Sequence, residues 1–216
     1  MELVFERAAG PTIAVAGSDR RFPVGSIYCV GRNYADHAVE MGGDPDREPP
    51  FFFIKPSFAI LADNAPMTYP KFTSDLHHEV ELVVAMGEDG IFGYAVGVDM
   101  TRRDLQAQAK DKSRPWEAGK SFAHAAPCSA IQPDSSVMNE AGIQLSINGE
   151  VRQSGNVNQM IWKIPEIIER LSELFVLGPG DLIYTGTPAG VGPVEVGDAI
   201  EASVEGLPAL SFKVHS

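Results

Sequence analysis

The segment Glu79-Val80-Glu81 opens a strand that continues as Leu82-Val83-Val84-Ala85-Met86 without a polar residue. No other stretch of the chain restricts the fold as strongly. In an extended chain, side chains two residues apart share a face, roughly 7 Å apart along the strand. Glu79 and Glu81 therefore lie on the same face as Val83 and Ala85, which is not the pattern of a fully solvated strand. Two like charges on one face repel, and a cation between them is the simplest remedy. A divalent ion is the natural candidate. The bland alternative is a solvated strand face that happens to carry two acids.

A third ligand has to come from elsewhere in the chain. Asp99 and Asp104 lie downstream. Asp104 has a local explanation at the start of a helix, where a carboxylate meets free amides and the dipole. Asp99 ends the apolar strand 93–98, where an unpaired carboxylate would be costly if buried. The reading is therefore Glu79, Glu81 and Asp99 as metal ligands. Three carboxylates suit a hard octahedral ion, Mg²⁺ or Mn²⁺, better than zinc. The neighbouring His77-His78 raises zinc, but adjacent strand residues face opposite ways and no HExxH is present. Each histidine is read as structural.

Short strands and turns dominate the rest. Residues 1–30 read as short strands broken at Gly10-Pro11 and Gly17-Ser18-Asp19, and residues 34–41 as a short helix closed by Gly42-Gly43. Strands are expected over 51–54, 76–86, 93–98, 182–185, 199–204 and 209–214. A helix over 102–110 begins with Thr101 and Asp104 in the spacing of a capping box. Asn148-Gly149 predicts a two-residue hairpin. The clearest helix is 165–175, with Ile167, Ile168, Leu171, Leu174 and Phe175 on one face and Pro165 in its first turn. Many strands with few helices give an α+β chain, predominantly β, with peripheral helices. The 216 residues suit one domain, and no linker or repeat divides them.

Several function classes are excluded. A formal charge of −12 makes a poor general binder of nucleic acid. It still permits a small anionic substrate, because local cations reverse the field inside a cleft. No apolar run reaches the roughly 18 residues of a membrane span, and no GxGxxG or GxxxxGK[ST] phosphate loop is present. The first residues lack a secretory pattern. Cys29 and Cys128, far apart and without a CxxC partner, fit a reducing cytoplasm and rule out a cysteine zinc site.

His37 and Glu40 stand three apart on the expected 34–41 helix, which brings their Cβ atoms to roughly 5–6 Å. A carboxylate beside an imidazole fixes its tautomer and raises its basicity, as a general base requires. Alone, such a pair is more often a surface helix contact. Thr185-Gly186-Thr187-Pro188-Ala189-Gly190 follows a strand and presents hydroxyls and amides that can hold a carboxylate, or it is simply a turn.

Taken together, a set of runs resembles the fumarylacetoacetate hydrolase family. They are Val30-Gly-Arg-Asn-Tyr-Ala-Asp-His-Ala-Val-Glu-Met41, Phe53-Ile-Lys-Pro56, His78-Glu-Val-Glu-Leu82, Asp99-Met-Thr-Arg-Arg-Asp104, Trp116 through Phe122, Asn148-Gly-Glu150 and Gly180-Asp-Leu-Ile-Tyr-Thr-Gly-Thr-Pro188. The stretch 22–56 is most similar to bacterial fumarylpyruvate hydrolases of the gentisate route of aromatic breakdown. The resemblance implies a mixed β-roll in a single catalytic domain over 1–216, with short N-terminal strands over 1–24 and the core over 25–215. It implies a homodimer and Mg²⁺ or Mn²⁺ on Glu79, Glu81 and Asp99. It places a His37–Glu40 dyad on a lid segment and gives Lys120 the role of polarising a substrate carbonyl. Substrate contacts fall on Arg32, Lys55, Arg103, Gln106, Gly186 and Thr187. The implied reaction is cleavage of the carbon–carbon bond of an acylpyruvate, fumarylpyruvate giving fumarate and pyruvate. Oxaloacetate decarboxylation and isomerisation or decarboxylation of 2-hydroxyhepta-2,4-diene-1,7-dioate are the enzymatic alternatives. A non-catalytic metal scaffold is the third, and it would need none of His37, Glu40 and Lys120. Two departures stand out. The chain has Val30 where the fumarylacetoacetate enzymes proper carry a further acidic ligand, and only Gly87-Glu-Asp-Gly-Ile-Phe92 where relatives carry a longer segment.

Overall fold

The computed structural model describes residue 4, residues 9–35 and residues 48–216. Most of the expected 34–41 helix, with His37 and Glu40, lies outside the described residues. A six-stranded sheet runs in the order Gln132–Pro133, Gly90–Val98, Val80–Gly87, Leu182–Tyr184, Ile27–Gly31 and Phe51–Lys55. Its pairs are antiparallel except Leu182–Tyr184 with Ile27–Gly31, which is parallel. Val80 through Met86 are all buried, so this strand is covered on both faces and needs no polar alternation.

A five-stranded sheet runs Glu150–Asn156, Gly142–Ile147, Ala199–Val204, Leu210–His215 and Met67–Thr68. Leu210–His215 alternates buried and exposed along its length, the signature of one solvated face. Gly142–Ile147 and Ala199–Val204 lie against Val80–Gly87 and Gly90–Val98, so the core sits between the two sheets. The expected hairpin is present: Ile147 pairs with Glu150, and Asn148 and Gly149 take φ of 54° and 81°, the left-handed pair of a type I′ turn. Gly97 allows a close approach inside the large sheet. A Cβ there would stand 2.5 Å from Val83 Cγ2 and from Tyr184 Cε1.

Three helices are described, Arg103–Asp111, Glu117–Lys120 and Ile164–Leu174. The last buries Ile164, Ile167 and Leu171, but Leu174 is exposed, contrary to the expected apolar face. The chain has left the helix at Phe175, which turns extended and sets its ring 5.1 Å from that of Tyr28.

Two other expectations are corrected. The run 76–86 is not one strand. Leu76–His78 pairs with Thr101–Arg102 and Gly192–Pro193, and only Val80–Gly87 joins the large sheet. The cause is a side chain distant in sequence: the Gln153 Oε1 accepts the Val80 amide at 2.9 Å. Thr101 is also not a helix cap. Its hydroxyl donates to the Asp99 carbonyl at 3.2 Å and accepts from Lys120 Nζ at 2.7 Å. Asp104 does hold the helix start, taking the Leu105 amide at 2.8 Å and the Thr73 hydroxyl at 2.7 Å.

Candidate metal centre and substrate cleft

Glu79 sits at the break between two strands, Glu81 is the second residue of Val80–Gly87, and Asp99 follows the end of Gly90–Val98. Because Glu81 pairs across the ladder with Gly97, the neighbouring strand delivers Asp99 beside it. One carboxylate oxygen from each of the three lies within 4.8 Å of the others. Their exposures are 5%, 2% and 1%. Three acids this deep in a protein need compensation, since isolated buried carboxylates are strongly disfavoured.

Part of that compensation is on the chain. Lys120 Nζ donates to Glu79 Oε2 at 2.7 Å, to Asp99 Oδ2 at 2.6 Å and to the Thr101 hydroxyl at 2.7 Å. Burial works against its charge, but Asp99 and Glu79 prevail and hold the ammonium above its ordinary pKa. Arg103 Nη2 bonds Glu79 Oε1 at 2.5 Å, and its Nη1 bonds Gln106 Oε1 at 2.7 Å. The Gly186 amide donates to Glu81 Oε2 at 2.7 Å. Even so, burial first and then the charges of Asp99 and Glu79 push the Glu81 carboxyl well above the usual carboxylate range.

Asp99 Oδ1 shows what is still missing. The Lys55 ammonium lies 2.8 Å away as an ion pair but off the line of a hydrogen bond, so among the described residues this buried oxygen has no hydrogen-bond donor. A buried acceptor in that state calls for an external partner. An all-oxygen set of three carboxylates with one unsatisfied lone pair fits a hard divalent cation. Neither histidine belongs to the set. His78 Nδ1 is engaged by Gln153 Oε1 at 2.9 Å, and His77 Nε2 by Asp75 at 2.8 Å.

The cleft above the carboxylates brings together Arg32, Arg103, Gln106, Lys120 and Thr187 with Glu79, Glu81 and Asp99. Two residues expected to meet substrate have other partners. Lys55 has no exposed surface; its ammonium faces the Met100 and Lys120 carbonyls and Asp99, so it backs the ligand from behind. Gly186 spends its amide on Glu81, at a φ of 97° that suits glycine. Thr187 is placed by Gln153, whose Nε2 donates to its hydroxyl at 2.7 Å.

Lys110, Trp116, Phe51 and Phe53 also line the cleft, and none of them is among the site residues expected from the sequence. A signal for Lys110 was present. Residues 103, 106 and 110 have the spacing of one helix face, so a helix that presents Arg103 and Gln106 presents Lys110 as well.

The geometry agrees with the comparisons. A model of the fumarylacetoacetate (FAA) hydrolase C-terminal region matches residues 26–215. The chain is 46% identical over 183 residues to a fumarylpyruvate hydrolase of a Ralstonia species, covering 79% of this chain and 95% of that protein. It is 44% identical over 202 residues to the mitochondrial oxaloacetate tautomerase FAHD1 of Homo sapiens, covering 88% of this chain and 91% of that protein. The crystal structure of fumarylpyruvate hydrolase from Pseudomonas aeruginosa in complex with Mn²⁺ and pyruvate matches with a TM-score of 0.96 at 43% identity, covering 99% of each chain. With the matched region running from the first strand of the large sheet to the last strand of the small one, the chain belongs to the fumarylacetoacetate hydrolase family.

Proposed function

We propose that this protein is a divalent-metal-dependent hydrolase of acylpyruvates that converts fumarylpyruvate and water to fumarate and pyruvate. One observation carries the reading: a buried carboxylate triad with an unsatisfied oxygen opens onto the same cleft as Arg103, Gln106 and Lys120. Likeness to two fumarylpyruvate hydrolases supports the substrate class. A cation such as Mg²⁺ or Mn²⁺, held by Glu79, Glu81 and Asp99, would supply the positive charge that favours a pyruvate enolate as leaving group.

The chain's own residues do the rest. Arg103 uses one N–H each on Glu79, Gln106 and His77, which fixes the fork and leaves further N–H groups for a substrate carboxylate. His37, oriented by Glu40, takes a proton from water as its oxygen adds to the acyl carbonyl. Lys120, kept protonated by Asp99 and Glu79, stabilises the resulting oxyanion through its charge, its three N–H groups being held by Glu79, Asp99 and Thr101. Collapse breaks the bond between the acyl carbon and the pyruvoyl methylene. The electron pair goes to the methylene carbon, and the proton from His37 completes pyruvate. The working unit in this reading is a homodimer, checked by sedimentation.

Oxaloacetate chemistry is the second reading, favoured by the 44% identity to the human tautomerase. Parallel assays of fumarylpyruvate, acetylpyruvate and oxaloacetate, with Mg²⁺ or Mn²⁺ and after chelation, separate the two. Metal-dependent cleavage of fumarylpyruvate is expected to be fastest. Oxaloacetate tautomerisation or decarboxylation faster than any acylpyruvate cleavage would overturn the proposal. His37→Ala and Glu40→Gln are each expected to lower turnover about 10²–10⁴-fold with metal still bound, the range of a positioned base.

A further inference from the structure

The cations of the cleft divide into two groups. Lys120 and Arg103 are committed to Glu79 and Asp99. Arg32 and Lys110 line the same cleft and have no carboxylate partner among the described residues. In a chain of formal charge −12, two cations at one opening with no carboxylate ion pair among the described residues need a reason. Lys110 is half-buried, with its ammonium 5.0 Å from the centre of the Trp116 ring. Burial, then repulsion from Arg103, Arg32 and Lys120, lowers its pKa, so the site gains by receiving an anion. Arg32 takes a φ of 61°, a conformation that side chains other than glycine seldom adopt.

The wall between the two groups is aromatic. The Phe51 ring meets Trp116 edge-on at 5.1 Å, and Phe53 lies 6.1 Å from Trp116 and 5.1 Å from Lys120 Nζ. Lys120 lies against Phe53 and Lys110 against Trp116, so a flat conjugated chain laid along this wall would run from Lys120 toward Lys110.

We infer that Lys110, with Arg32 beside it, is a second carboxylate-binding subsite that selects diketo acids whose acyl arm ends in a carboxylate. The inference deepens the acylpyruvate reading and rests on it. It accounts for two cations of the cleft that have no carboxylate ion-pair partner among the described residues.

The test uses the Mn²⁺-loaded protein and its Lys110→Met and Lys110→Arg variants. Methionine keeps the apolar stem against Trp116 and removes the charge. The ratio of kcat/KM for fumarylpyruvate to that for acetylpyruvate is expected to fall at least about tenfold in Lys110→Met, through KM, as for loss of a hydrogen bond to a charged group. Lys110→Arg is expected to restore most of it. An unchanged ratio overturns the inference. A binding measurement runs beside the kinetics: fumarate titrated into a Trp162→Phe background, with emission from Trp116, the tryptophan that remains of the two in the chain. Fumarate is expected to bind about tenfold more weakly to Lys110→Met, and equal binding refutes the subsite. If no acylpyruvate is cleaved at all, the functional reading fails while the fumarate titration still decides whether the subsite exists.

Discussion

Replacing Lys120 by methionine removes one of three cations, with Lys55 and Arg103, that face the three buried carboxylates. The Lys120 ammonium lies 2.7 Å from Glu79 and 2.6 Å from Asp99, and the side chain is 3% exposed. Gross attraction to each carboxylate is about 6 kcal/mol at an effective dielectric near 20. Desolvation offsets most of it, and removing one partner of a buried pair has a net effect of about 3–5 kcal/mol. That is the loss expected for the metal-free variant, read from urea unfolding in chelator. A divalent cation changes the comparison. Without the ammonium beside it the triad is expected to bind Mn²⁺ at least about tenfold more tightly, and tenfold is about 1.4 kcal/mol. At a free metal concentration of about 100 times the wild-type Kd, linkage adds about 2.7 kcal/mol to the wild type and about 4.1 to the variant. The stability gap should therefore narrow by about 1.4 kcal/mol when metal is added. An equal gap with and without Mn²⁺, together with an unchanged calorimetric Kd, would refute the idea that Lys120 and the cation share one electrostatic balance.

Further outcomes follow from the same geometry. Glu81→Gln keeps an acceptor for the Gly186 amide but removes a ligand charge. Mn²⁺ binding is expected to weaken by more than the 10–100-fold typical of an outer-shell change, with the fold retained by circular dichroism. Gly186→Ala places a Cβ 2.6 Å from Asn33 Cβ at a φ of 97°. The left-handed conformation alone costs about 1–2 kcal/mol, and denaturant unfolding should show at least that loss, with weaker metal binding as Glu81 loses its amide. His78 is buried and its pKa is lowered by desolvation, so the unfolded chain takes up the proton first. Stability is then complete above about pH 6.5 and falls as pH drops below it. Thermal unfolding of His78→Asn over that range should show a shallower decline.

The clustering of the three carboxylates was legible because strand geometry is local. A period of two puts Glu79 and Glu81 together, and Asp99 lacked any helix-start explanation of the kind Asp104 has. The Asn148-Gly149 hairpin was legible for the same reason. The break at Glu79 was not, because it depends on Gln153, 73 residues from Val80, claiming an amide that local pattern assigns to the ladder. Lys55 counts among the substrate contacts through the family resemblance alone, and only packing shows it enclosed behind Asp99. Thr101 had the spacing of a cap but was drawn to Lys120, a contact outside the helix. Lys110 was readable from helical spacing once Arg103 and Gln106 were placed, whereas its unpaired charge depends on which neighbours the cleft supplies.

The change of sheet at Glu79 has one more consequence. The Asp99 amide donates to the Glu79 carbonyl at 2.8 Å, so two of the three clustered carboxylates are tied through their own main chains. Their separation is therefore a matter of backbone register, and rotamer changes can alter it only within the reach of a short side chain. If the triad holds a cation as proposed, a centre built this way is expected to work as a gauge, favouring ions of one size and resisting stretching for larger ones. A single added methylene, as in Asp99→Glu, should upset its preference between Mn²⁺ and Ca²⁺ more than many changes elsewhere in the cleft.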